Sequence, residues 1–218
     1  PTCALRTKTS AENSGGTGRF HYVTVLDRQD GAVVNTPPAS IGDRVDVRGA
    51  RIENGVIVLE LVQGGPDDPA CCPTQLAKRS WKLADGALHE ETPVIEGTLS
   101  VAELYGTSWK LNRFGFDGAP VEEVEVTLQI TEAGVAGFAG CNQYSGTIAQ
   151  GEMAADITVG PIASTKKLCP EPAMGIETQY LRALGGATRF SFFAGSLLIS
   201  HQSDSEYGQM FFDRAPEN

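Results

Sequence analysis

The dipeptide Asn54-Gly55 lies between two runs rich in β-branched and apolar residues, Arg44 to Glu53 and Val56 to Val62. Asn-Gly in that setting is the strongest short hairpin signal, because both central residues of the tight turn need a positive φ that these two types tolerate. The same punctuation recurs. Asp30-Gly31 separates Phe20 to Leu26 from Ala32 to Val34, and Asp85-Gly86 separates Lys78 to Ala84 from Ala87 to Glu91. Cys3 to Thr9 alternates and reads as a strand, and Ala11 to Gly18 reads as a Ser-, Asn- and Gly-rich loop. The first ninety residues are therefore expected to form a meander of short antiparallel strands without a helix. Val45, Val47, Ile52, Val56, Val58 and Leu59 are the candidates for the buried side of the Asn54-Gly55 hairpin.

The second half keeps the strand pattern and adds one helix. Val124 to Ile130 alternates cleanly, so Val124, Val126, Leu128 and Ile130 should face inward and Glu125, Thr127 and Gln129 outward. Ile157, Val159 and Ile162, then Phe190 to Phe193, Leu197 to His201 and Gln209 to Asp213, supply further strands. From about Pro172 to Leu184, Ile176, Tyr180, Leu181 and Leu184 recur at helical spacing, with prolines at the start and Gly185-Gly186 at the end. Glu90 to Glu103 has no clear period and holds Pro93 and Gly97. The expected architecture is mainly β: a domain at 1–92, a linker at 93–103, and a second antiparallel β domain with a single α-helix at 104–218.

Charge narrows the function. The net charge is −10, with 10 basic against 13 acidic residues in the first hundred positions and 7 against 14 in the remainder. Nucleic acid and anionic membrane surfaces are disfavoured partners, since phosphate binding needs a basic footprint. No run of 18 apolar residues exists, so no transmembrane helix is expected. No nucleophile elbow, phosphate loop or dinucleotide fingerprint is present. Gly15-Gly-x-Gly18 precedes a strand and reads as a turn. His21, His89 and His201 are scattered, and Asp67-Asp68 reads as a solvated loop before it reads as a calcium ligand. No catalytic, cofactor or metal residue is assigned.

Two stretches carry the most specific pattern: Gly140-Cys-Asn-Gln-Tyr-Ser-Gly146, and Thr165-Lys-Lys-Leu-Cys-Pro170 leading into a helix that carries Glu177. With the entry Gly106-Thr-Ser-Trp109, the run Leu197-Leu-Ile199 and the closing Gln209-Met-Phe-Phe212, they resemble the META domain of HslJ-like bacterial proteins, over roughly residues 104–214. The resemblance implies a compact β domain with one helix, exported or lipid-anchored through a removed N-terminal part, with no settled biochemical activity. It marks Gly140, Asn142, Tyr144, Gly146, Thr165, Pro170 and Glu177 as motif residues with a structural role. Gly15-Gly-x-Gly18, Ile41-Gly-Asp-Arg-Val45 and Asp68-Pro-Ala-Cys-Cys-Pro73 are similar to a β-rich domain of bacterial periplasmic lipoproteins of unassigned function, over residues 1–91.

The five cysteines lack the paired spacing of a zinc site. Cys141 and Cys169 are the two cysteine positions of the resembled family, which implies a disulfide between them, against the alternative of two buried thiols. Cys3 is expected to pair with Cys71 or Cys72, with a strained Cys71–Cys72 bond as the alternative; one cysteine is left over in either case. These readings converge on a non-enzymatic envelope protein, periplasmic or exported. Its partner would be another protein, such as a membrane assembly on whose periplasmic face it docks as an accessory subunit. The alternative is a stress-related small-molecule binder with a pocket lined by Phe138, Tyr144, Phe190 and Phe192.

Overall fold

The computed structural model describes residues 2–9, 19–29, 32–69, 72–203 and 206–216, the side chains of 2–9, 19, 27–29, 33–34 and 206 excepted. The expected loop at 11–18 and the Asp30-Gly31 turn lie outside the described residues. The chain divides into two compact units, Pro1–Thr98 and Leu99–Asn218.

Among its described residues the first unit contains nine strands: β1 (Thr2–Thr9), β2 (Arg19–Gln29), β3 (Ala32–Asn35), β4 (Ala39–Asp43), β5 (Asp46–Glu53), β6 (Val56–Gln63), β7 (Gln75–Ala84), β8 (Ala87–Glu90) and β9 (Val94–Thr98). β2 is flanked by β1 and by β3 and β4 in one sheet; β5, β6, β7 and β8 follow in order in another, with β9 also on β7. All pairs are antiparallel. The Asn54-Gly55 turn has φ of 50° and 80° and joins Glu53 to Val56, as its sequence requires. Asp85-Gly86 repeats it at 51° and 74°.

β6 is buried on both faces, at Val58 and Val62 as well as at Ile57, Leu59 and Leu61. Ile57, Leu59 and Leu61 enter one cluster with Val23, Val25, Ile41, Val45, Val47 and Trp81, which joins the two sheets. Ile52, expected inside, is 41% exposed, although its cross-strand partner Ile57 is buried. Arg79 reinforces the junction. Its guanidinium grips Glu90 at 2.5 and 2.9 Å, donates to the Ile41 carbonyl and lies 5.2 Å from the Trp81 ring centre. Asp68 closes the Pro-rich loop, accepting from the backbone N–H groups of Gly65 and Thr74 and from the Thr74 hydroxyl, each at 2.7 Å. These bonds, with the one from Gly65 foremost, hold its carboxyl below the usual carboxylate range.

The stretch expected as a linker is largely ordered structure. Val94 to Thr98 pairs with β7 as β9, and Val101–Leu104 forms a short 3-10 helix. The pattern missed β9 because all five of its residues are exposed, so no alternation marks it.

The second unit contains β10 (Thr107–Phe114), β11 (Thr127–Thr131), β12 (Gly134–Phe138), β13 (Gln143–Gly146), β14 (Ile148–Gln150), β15 (Ile157–Val159), β16 (Ala163–Ser164), α1 (Ala173–Gly185), β17 (Ala187–Phe193), β18 (Ser196–Ser203) and β19 (Glu206–Arg214). Eight strands form one sheet in the order β16-β13-β12-β11-β10-β19-β18-β17, while β14 and β15 pair separately. Two meanders thus meet where the last strand pairs with the first, Trp109 facing Arg214 and Leu111 facing Phe212. Val124, Val126, Leu128 and Ile130 are buried and Glu125 and Gln129 exposed, as the alternation requires, although the strand itself begins only at Thr127. α1 packs on β18 and β15. Its buried face is Glu177, Tyr180, Ala183 and Leu184; Ile176 and Leu181 flank it half-buried. Among the described residues no helix is long and apolar enough to cross a membrane.

Candidate functional site

The two motif stretches meet at one place, where the β12–β13 turn, the strap before α1 and the first turns of α1 come together. Asn142 is at its centre and is 2% exposed. Its backbone N–H donates to Glu177 Oε2 at 2.6 Å, and its Nδ2 donates to Glu177 Oε1 at 2.9 Å and to the Lys167 carbonyl at 3.1 Å. Its Oδ1 accepts from the Thr165 hydroxyl at 2.8 Å and from the Lys167 N–H at 2.6 Å. Its carbonyl accepts from the Ala139 N–H at 2.8 Å, closing the turn. One residue therefore ties its own turn to the strap and to α1, and both carboxyl oxygens of Glu177 accept from it, one from its backbone N–H and one from its side-chain amide. Glu177 is 7% exposed, and these bonds meet the requirement that a buried polar group be paired.

The other motif residues support this centre. Gly140 has φ of +105°, and a Cβ there would stand 2.7 Å from Val124 Cγ1, so the position excludes side chains on both counts. Gly146 has no such backbone demand; a Cβ there would stand 3.3 Å from Ile162. Thr165 also receives the Gln143 N–H on its hydroxyl at 3.2 Å, and Pro170 offers its carbonyl to the Ala173 N–H at 3.2 Å as the chain turns into α1. Cys141 and Cys169 are joined by a disulfide, with Cα atoms 5.9 Å apart across a separation of 28 residues. Cys72 is also disulfide-bonded. The expected pairing of Cys3 with Cys71 or Cys72 involves the side chains of Cys3 and Cys71, which lie outside the described residues.

Beneath this cluster Tyr144 and Tyr180 meet through their hydroxyls at 2.6 Å. The Tyr144 hydroxyl lies 2.9 Å from the Thr127 carbonyl, which accepts its proton, so Tyr180 is the donor in the tyrosine pair. Burial raises both phenols above their usual value. The helical spacing places Tyr180 only on an apolar face, and nothing in that spacing reveals a hydroxyl partner. The roles of the Lys167 N–H and carbonyl were equally unreadable, because backbone atoms leave no mark on the residue type.

Of the four residues expected to line an aromatic pocket, Phe138 is half-buried. Tyr144, Phe190 and Phe192 are buried in the core, with Phe190 and Phe192 edge to face at 6.0 Å. A groove of about 750 Å³ lies elsewhere in this unit, between α1 and the paired ends of β18 and β19, lined among others by Met174, Arg182, His201 and Tyr207. Among the described residues no group of three His, Cys, Asp or Glu is placed to hold a metal ion. His21, His89 and His201 lie on β2, β8 and β18.

A family model described as the META domain matches residues 102–215. A solved structure described as an NMR structure of the protein from Burkholderia xenovorans is similar at 22% identity, covering 59% of this chain and 98% of that one, with a TM-score of 0.42. No curated protein matches the chain.

Proposed function

The chain belongs to the META domain family, whose model matches more than half of its length, and from that premise we propose that it is a non-enzymatic protein of the bacterial envelope. It serves there as a binding or accessory structural subunit, docked through another protein on the periplasmic face of a membrane assembly. The observation that carries this reading is how the motif residues are used. Asn142, Glu177, Thr165 and the Tyr144–Tyr180 pair direct their polar atoms at one another and at nearby backbone. Such a cluster rigidifies a surface; it does not present a base or a nucleophile to a substrate. The Cys141–Cys169 disulfide supports an exported location, since such bonds persist in oxidising compartments. Short antiparallel strands with open edges and surface loops suit recognition of another chain.

The test is the native mass of the protein released gently from its own cells, with co-purifying chains identified. A stoichiometric membrane-associated partner is expected. A lone monomer of 23.1 kDa would overturn the reading. The groove beside α1 favours a second reading, a stress-related small-molecule binder, because its volume of about 750 Å³ falls in the range of small-ligand sites. A bound metabolite released on denaturing the monomer would establish that alternative.

A further inference from the structure

We infer that the strap from Thr165 to Pro170 is the docking surface of this protein, with Leu168 as the apolar anchor and Lys166 and Lys167 as flanking cations. It fits a protein partner that offers an apolar pocket rimmed by carboxylates. This inference rests on the reading of the chain as a binding subunit and names the surface that does the binding.

The inference begins with how the strap is held. Single exposed leucines are ordinary on protein surfaces. Leu168 differs in that it is 93% exposed while the residues on either side of it are fixed. Before it, the Lys167 N–H and carbonyl are both bound by the Asn142 side chain, and Thr165 is tied through its N–H to the Gln143 carbonyl at 3.0 Å and through its hydroxyl to Asn142. After it, Cys169 is locked to Cys141. The cluster thus fixes a main chain whose own side chains at 166, 167 and 168 all point into solvent. A rigid strap loses little conformational entropy when a partner closes on it, which is the general gain from preorganisation. A heavily tied segment therefore carries side chains that contribute no core.

Charge selects the partner. Lys166 and Lys167 are two of only 7 basic residues in positions 101–218, against 14 acidic ones. They form a local cationic spot on an acidic unit, complementary to a carboxylate rim, while the net charge of −10 that every copy carries opposes a second copy as the occupant. An anionic bilayer is the less favoured occupant. Two lysines give weak attraction to such a surface, and the chain carries a net charge of −10.

The experiment places a photoreactive benzophenone side chain at position 168 of the full chain in its own cells, with a control at the exposed Gln129 on β11. It is paired with co-purification of the variants Leu168→Asp and Lys166→Glu/Lys167→Glu. Both variants should keep the unfolding midpoint and the Cys141–Cys169 disulfide, because Lys167 contributes only backbone atoms to the cluster. The expected result is one cross-linked protein from position 168 and none from 129, with affinity for that protein reduced by about tenfold or more in each variant, a factor of about 1.4 kcal/mol. If a stoichiometric partner exists but binds both variants as well as the wild type, the strap is not the surface, while the binding-subunit reading stands. If no partner is found with the wild type either, that reading itself falls. If position 168 labels lipid and the variants lose affinity for phosphatidylglycerol vesicles, the strap binds a membrane and the protein pocket is refuted.

Discussion

Gly140 shows how much one position decides. Its φ of +105° and its approach to Val124 leave no room for a β-carbon, so Gly140→Ala should lower stability by about 1–3 kcal/mol. Chemical denaturation checks this, and an unchanged midpoint would mean the turn can relax. The buried tyrosines make a second residue-level prediction. Tyr144 and Tyr180 hold their protons more tightly in the folded protein than in the unfolded chain, where the usual value is 10.0. Their contribution to stability is therefore complete below about pH 10 and declines as pH rises beyond it, when only the unfolded state releases the protons. Ultraviolet titration should show both phenols ionising only above the usual tyrosine range, with loss of structure. Ionisation of all five tyrosines near the usual value with the fold intact would contradict the hydroxyl pair.

Among the elements, strands with strict alternation could be read from residues alone. Val124 to Ile130 placed its own inward face, and Asn54-Gly55 and Asp85-Gly86 placed their own turns. β9 could not be read, because an edge strand exposed at every residue has no pattern to detect. The helix was legible in extent, yet its buried face includes Glu177, a residue type that periodicity assigns to solvent. Only a partner at hydrogen-bond distance explains a buried glutamate, and Asn142 lies 35 positions away in sequence. The strap before α1 depends on its covalent tie. Closing a loop of 28 residues stabilises by about 3–4 kcal/mol in the chain-entropy model. Replacing both Cys141 and Cys169 by serine should cost an amount of that order in urea denaturation. A loss below about 0.5 kcal/mol would show that the hydrogen bonds of Asn142 already hold the strap.

At the scale of the whole molecule, the chain divides into two units and the motif lies entirely in the second. The candidate site was legible as a set of residue types, through the spacing of Gly140 to Gly146 and of Thr165 to Cys169. Its use as a clasp was not, because that depends on atoms brought together from three segments. This clasp holds the second unit and presents a fixed strap. The most direct measurement is equilibrium unfolding of the full chain carrying Asn142→Ala. That change removes four side-chain hydrogen bonds, two of them from backbone or hydroxyl donors and one to a buried carboxyl group. The account predicts a loss of about 2–4 kcal/mol in the transition of the second unit, with the first unit unaffected. Stability unchanged within about 0.5 kcal/mol would contradict it, and would mean that Asn142 and Glu177 are placed for something other than holding the fold.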